Sequence, residues 1–531
     1  MKIKNCIFIT ISLFITIAKT AQAQPGTLDI TFGIAGKVST NLGGDEDEGY
    51  SVAIQNDGKI VVAGSTTSNG SIYDCALVRY NTDGTLDINF GPGGKIIVDF
   101  GSDFEDFRSV VIQSDGKIVV VGYSLQGTGS TANNDIILAR FLSDGTLDNT
   151  FGTGGKVISD FGGGNTDEGY AVAIQNDGKI VVAGESNVNG VFDGVGVWLD
   201  MAVVRYNSNG TLDNTFGTSG IGTTDFGFSQ NEYAKSIAIQ SDGKIVIAGN
   251  VANVSPTYMD FAVARFNSDG TLDNSFDTDG QVTTDFLIRD DYASSICLQS
   301  DGKIVVAGYA EHASYQYYFA LARYNSDGTL DINFGTGGKV TTAIGTYSNR
   351  GNSAAIQSDG KLVVGGSGYI LGINSFALIR YNTNGTLDNT FDADGKVTTA
   401  FGSNDASGYS VAIQGDGKIV MAGNSAGGTT SSTLDFALAR YNINTVTAIT
   451  PSVRAEYMDI ATYPNPTSGI FSIKHKNIHQ QMNVEVYNML GEKVLQQQNT
   501  NEINLSASPK GVYFLRIYDD KKSYTTKISV Q

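Results

Sequence analysis

The chain has 531 residues, a formal net charge of −19, 65 glycines and three cysteines. A surface this acidic repels phosphate backbones and argues against nucleic acid as a partner. With so few cysteines, stability has to come from a packed core rather than from a disulfide framework.

Taken in chain order, the first segment is Lys2 and Lys4, an apolar run from Ile7 to Ala18, and "AQA" ending at Ala23. That is the layout of a secretory signal peptide over 1–23. The run is too short to span a bilayer and no later stretch approaches about 18 apolar residues, so no transmembrane helix is expected. Loss of Lys2, Lys4 and Lys19 with the leader would take the charge to −22.

From residue 24 the chain repeats itself. "DGK" occurs seven times, with Asp57, Asp115, Asp177, Asp242, Asp301, Asp359 and Asp416, at spacings of 57 to 65 residues. Between them, apolar runs of four to seven residues alternate with Asp-Gly and Gly-Gly turns, a strand-and-hairpin pattern without room for long helices. In "QSDGK" and "NSDGT" the Asp-Gly step suits a tight turn whose glycine takes positive φ. Each unit is therefore expected to be a four-stranded antiparallel blade, and seven blades a β-propeller over 24–442.

The segment "GTLD" also occurs seven times, but its first copy, at Gly26, precedes every "FALARYN"-type strand, and the last such strand, at 436–442, has no "GTLD" after it. The N-terminal segment, Gly26 to about Ser39, is thus expected to supply the missing outer part of blade seven. That closure removes two strand edges, and it predicts that Asp29 meets Arg440 as Asp87 meets Arg79 and Asp331 meets Arg323.

The loop "YNTDGTLD" at 80–87 imitates a calcium loop, yet Arg79 stands where the first carboxylate ligand should be. A guanidinium there takes the place of a cation through charge-assisted pairing. Cys75 and Cys297 lie at strand positions filled in other repeats by Phe, Met or Ala, and read as packing thiols. The repeats hold one histidine, His312, in a loop-like stretch; His475 and His479 lie further on. Triads with a histidine base and zinc sites are disfavoured on that count.

Aligned on the Gln of "VAIQ", the position eight residues earlier is Asp47, Glu105, Asp167, Glu232, Asp291, Asn349 and Ala406. The five carboxylates are expected around the mouth of the central channel, where they suit a hard cation such as calcium or a basic segment of a partner; the alternative is solvated turn carboxylates. The loop after "VVAG" varies most between repeats, so specificity is expected on its face. Trp198, the only tryptophan, lies in the longest of these loops, as a packing or a stacking residue.

The runs "SDGKIVVAG", "FALARYN" and "GTLDxxFG" resemble the delta-60 repeat family over roughly 25–442, which implies a propeller-like exported bacterial protein without an agreed activity. After a linker at 443–457, the region 458–531 reads as a small β-sandwich. Its blocks "YPNPTSGIFSI", "VEVYNMLGEKVLQ" and "GVYFLRIYDD" resemble the type A C-terminal sorting domain of the type IX secretion system, carried by Tyr463, Pro464, Asn465, Pro466, Gly491, Gly511 and Tyr513. That resemblance implies the type IX machinery as a partner and a secreted or outer-surface destination in a Gram-negative bacterium. The fold class is all-β. A noncatalytic binding or adhesion propeller for an extracellular glycan, polymer or protein is favoured, without a required cofactor; the alternative is a polysaccharide hydrolase or lyase using channel-mouth carboxylates.

Overall fold

Each repeat folds as one antiparallel meander because its apolar runs are strand-length and its turns carry the glycines that tight reversal needs. In blade one the strands are Asp47–Ile54, Ile60–Ser68, Ile72–Tyr80 and Lys95–Val98, hydrogen-bonded in that order. The "DGK" reversal closes with Gln55 N–H on Lys59 O and with Gly58 at φ 84°, a conformation that only glycine adopts without strain.

This computed structural model describes residues 24–443 apart from 69–71, 128–131, 162–165, 188–197, 228–230, 253–257, 288, 314 and 428–432. Beyond that it describes 460–463, 467–475, 483–488, 493–518 and 523–531. Ala23–Thr445 form one compact unit, and Val446–Gln531 belong to a second.

Six blades are built from consecutive strands. The seventh takes three strands from Ala406–Ile413, Ile419–Ala426 and Leu434–Tyr441, and its outer strand is Lys37–Thr40, with Lys37 paired to Ala439 and Thr40 to Phe436. The fold is the expected seven-bladed propeller closed by the N-terminal segment. The second strands, such as Ile60–Ala63 and Ile118–Val121, are wholly buried between neighbouring blades. Cys75 is buried, Cys297 is partly buried, and both are free thiols. His312 is exposed and stacks on Tyr318.

At the "DGK" end, one ionic arrangement recurs in every blade. The third-strand arginine donates from Nε to the "GTLD" aspartate at 2.6–3.0 Å, from Arg79 and Asp87 through Arg323 and Asp331 to Arg440 and Asp29. The "DGK" lysine reaches the same carboxylate at 2.6–3.5 Å. The guanidinium lies over a buried Phe, as Arg440 over Phe32 at 4.5 Å, and donates to a turn carbonyl of the next blade, as Arg265 to Ser326 O at 2.5 Å. Each clamp joins two blades. It is also the physical reason why the calcium-like loop needs no metal: two cations already face its aspartate.

The second unit has two sheets, one of Ile460–Tyr463, Ile470–His475 and Glu502–Asn504, the other of Lys493–Gln498, Asn483–Tyr487, Gly511–Tyr518 and Ser523–Val530. Phe471, Ile473, Val484, Val486, Leu515 and Ile528 form its core. Tyr513 donates its hydroxyl to Pro509 O at 2.6 Å. Pro464, Asn465, Pro466, Gly491 and His479 lie outside the described residues, as do the side chains of Tyr463 and His475.

Candidate functional site: the central channel

Every innermost strand carries one β-bulge at the same place. The register against the second strand shifts between Gly49 and Ser51 in blade one, and at the matching step in the other six. A bulge leaves one residue unpaired and re-aims its side chain. Here the seven unpaired residues are Tyr50, Arg108, Tyr170, Lys235, Ser294, Asn352 and Tyr409, and all seven line a single cavity of about 610 Å³. A second cavity of about 720 Å³ shares Tyr309, Asn352 and Tyr409 with it and adds Tyr347, Arg350 and Tyr369. Strand direction places these residues in the half of the channel nearer the variable loops.

Around the bulges, charge is distributed unevenly. Blades one to three contribute Glu48, Asp106, Glu168 and Glu185. Blades four to seven present no carboxylate at the corresponding register positions, which hold Tyr233 and Asn250, Tyr292 and Tyr309, Arg350 and Ser367, and Ser407 and Asn424. Arg108 is committed: it donates to both oxygens of Asp106 at 2.8 and 2.7 Å and to the Tyr123 hydroxyl at 2.8 Å, with its guanidinium 4.2 Å from the Tyr50 ring centre. Tyr50 donates to Glu48, and Tyr170 to Glu168. Lys235 Nζ lies 3.1 Å from the Tyr170 ring centre.

Burial sets the proton states. It raises Glu185 and lowers Lys235, each against the pull of the other's charge, and it raises Asp106 to about 6 against the pull of Arg108. Burial and then the carboxylates of Glu185 and Glu168 push the Tyr170 phenol far above its ordinary value. The channel therefore offers neutral phenols, the mutually perturbed Glu185 and Lys235, and serine and asparagine side chains, set among aromatic faces.

The carboxylates singled out in the sequence occupy a different place. Asp47, Glu105, Asp167, Glu232 and Asp291 begin the innermost strands, but each is at most 1% exposed and none lines the channel cavity. They are neither a free rim at the channel mouth nor solvated turn residues. Each accepts a backbone N–H from the crossing that precedes it: Leu42, Phe100, Phe161, Phe226 and Phe286 at 2.6–2.9 Å. The reason is local, since a crossing that dives from an outer to an innermost strand leaves buried donors that an acceptor must satisfy. Asn349 instead donates to Tyr317 O and Tyr347 O. Trp198 is half-buried just before Asp200–Tyr206 and lines neither channel cavity.

The sequence reading missed the bulge residues. They stand five positions before the same Gln, three after the acidic position, and they change from repeat to repeat inside an otherwise recurring segment. Variation within a repeat was the signal available; what the alignment could not show was that a bulge turns this position toward the axis.

Seven segments, 55–90, 113–151, 175–216, 240–276, 299–334, 357–391 and 414–444, match the domain of unknown function (DUF5122) beta-propeller, and 461–531 match the secretion system C-terminal sorting domain. No curated protein matches the chain in sequence. Similar solved structures include PorZ, an essential surface component of the type IX secretion system of Porphyromonas gingivalis (12% identity, TM-score 0.39, 92% of this chain and 60% of that one). They also include the polysaccharide lyase Uly1 (13%, 0.42, 78% and 92%) and a NanB sialidase of Streptococcus pneumoniae (10%, 0.40, 78% and 71%). The chain spans 60% of the length of PorZ, and likeness at these scores carries no argument about activity. With its seven matched repeats folded as seven blades and its matched tail folded as a strand-rich unit, the chain belongs to the DUF5122 β-propeller family and carries a type IX C-terminal sorting domain.

Proposed function

We infer that this is a secreted, outer-surface binding protein whose propeller takes a carbohydrate into the variable-loop half of its channel, after export through the type IX machinery. The observation that carries the reading is the ring of seven bulges: identical backbone devices, one per blade, which together present five kinds of side chain to one cavity. Tyrosine faces suit the apolar faces of sugar rings, and Ser294, Asn352 and the phenols suit their hydroxyls. Catalysis is the second reading, favoured by one feature, the buried Glu185 beside the Tyr170–Glu168 pair, which burial pushes toward the protonated form of a general acid. Against it, Tyr170 is held as a neutral phenol and Arg108 is tied to Asp106.

A glycan array probed with the secreted propeller, followed by an assay of reducing ends and unsaturated products on each ligand found, separates the two. Binding without new ends supports the first reading. Turnover lost in Glu185→Gln supports the second, and an array without ligands removes the carbohydrate proposal.

A further inference from the structure

The crossings between blades contain a pattern of carboxylates independent of the channel. Three positions recur at each: one at the start of the third strand, one just after the fourth, and the residue that opens the next innermost strand. In four consecutive crossings all three are acidic: Asp74, Asp99, Glu105; Asp135, Asp160, Asp167; Asp200, Asp225, Glu232; and Asp260, Asp285, Asp291. In the next two none is: Tyr318, Ala343, Asn349 and Ser375, Ala400, Ala406. The closing crossing has Asp435, Asn41 and Asp47. Carboxylates that only satisfied backbone donors would not need to come and go as a set.

The fourth of these crossings goes further. Asp260, Asp285 and Asp291 offer oxygens that all lie within 4.8 Å of one another, as do Asp74, Asp99 and Glu105 in the first crossing, where both Glu105 oxygens are already satisfied by the N–H groups of Phe100 and Ser102. Asp291 is wholly buried; one oxygen accepts Phe286 N–H, and the other, Oδ1, has no hydrogen-bond partner. The cause lies on the neighbouring strand. In blades one and three the residue opposite the acid is a hydroxyl, and Thr66 and Ser186 donate to Asp47 and Asp167. Opposite Asp291 stands Ala310, and opposite Glu232 stands Val251; Glu232 Oε2 is likewise buried and unpartnered.

A buried carboxylate oxygen without a donor, facing two further carboxylates, is an unfavourable arrangement unless a proton or a cation completes it. Lys339 does not do so, because its ammonium donates to the Asp285 backbone carbonyl at 2.8 Å and lies by the Phe286 ring. Asp285 is exposed, so the cluster has an open side for an ion and its remaining waters. All-oxygen, carboxylate-rich coordination without nitrogen or sulfur selects a hard divalent cation, and calcium, which accepts flexible geometry, suits side chains from three separate elements better than magnesium, which demands near-ideal octahedral geometry.

We propose that the blade four-to-five crossing is a calcium site formed by Asp260, Asp285 and Asp291. The ion bridges the third strand of one blade, the crossing, and the first strand of the next, and so fastens neighbouring blades at the end opposite the arginine clamps.

The test is calorimetric titration of the full secreted chain with calcium chloride, and with magnesium chloride in parallel. The expected result is saturable calcium binding in the micromolar to millimolar range, a higher melting temperature, and at least tenfold weaker magnesium binding. Asp285→Asn, exposed and so tolerated by the fold, should reduce the number of calcium ions bound by one. Ala310→Ser, which supplies the missing donor, should weaken calcium at one site at least tenfold without lowering stability in chelator. No calcium binding at 10 mM, or a stoichiometry untouched by Asp285→Asn, would overturn the proposal.

Discussion

The two ends of the propeller use the repeat in opposite ways. At the "DGK" end, seven arginines meet seven aspartates and seven lysines in one geometry, so the residues are the same because the task, joining each blade to the next, is the same. At the variable-loop end the backbone recurs, bulge for bulge, while the presented side chains run Tyr, Arg, Tyr, Lys, Ser, Asn, Tyr. Repetition marks what holds the ring together, and departure from repetition inside a recurring backbone marks what the ring displays. A position can be structurally invariant and chemically free at once.

The comparison breaks most severely if closure fails. Deleting residues 24–44 removes the strand Lys37–Thr40, the buried Phe32 and the partner of Arg440. We expect a loss of more than about 5 kcal/mol, enough to abolish cooperative unfolding in a denaturant titration. A change below about 1 kcal/mol would show that the ring is held without its N-terminal strand.

One clamp weighs less than a strand. Arg265→Met leaves Asp273 buried with Lys244 alone and should cost about 3–5 kcal/mol while leaving channel binding intact. Arg380→Met should cost less, because its reach to the next blade is a 3.3 Å contact with Ile443 O, where Arg265 has Ser326 O at 2.5 Å. Equal costs would mean that the interblade hydrogen bond contributes little.

Acid sharpens the contrast between the ends. The hydrogen bond from Lys303, against the cost of burial, and then the charge of Arg323 hold Asp331 at about 2, below the roughly 3.9 of an unfolded aspartate. The folded value is depressed, so this stabilisation is complete above about pH 4 and disappears as pH falls through 2, by about 2 kcal/mol for the Asp331 clamp. Glu185 behaves in the reverse sense. Burial raises its folded value above that of an unfolded glutamate, so stability falls as pH rises from about 4 toward the higher folded value, and Glu185→Gln should flatten that limb in melting curves.

The smallest effect on stability belongs to the bulges. Tyr409→Phe and Asn352→Ala should change stability by no more than about 1 kcal/mol, yet lower affinity for a channel ligand about tenfold, as read by titration of the ligand found on the array. Stability lost in step with affinity would make these residues part of the scaffold.

The number of blades, the closure from both chain ends, the pairing of Asp29 with Arg440 across 411 positions and the identity of the tail were all legible in the order of residues. They rest on turn chemistry, strand period and counting, which are local properties repeated seven times. The fate of Asp47, Glu105, Asp167, Glu232 and Asp291 was not legible, because a carboxylate in a crossing reads the same in sequence whether it faces water or a buried N–H. Only the packed crossing, with Thr66 opposite one acid and Ala310 opposite another, decides which oxygens are satisfied. Nor does sequence say which residue of "DEGYSVAI" points to the axis: strict alternation along a strand would put Glu48 and Tyr50 on one face and stop there. The bulge interrupts that alternation at the same step in all seven blades, and it arises from register between neighbouring strands, a relation that exists only once the ring is assembled.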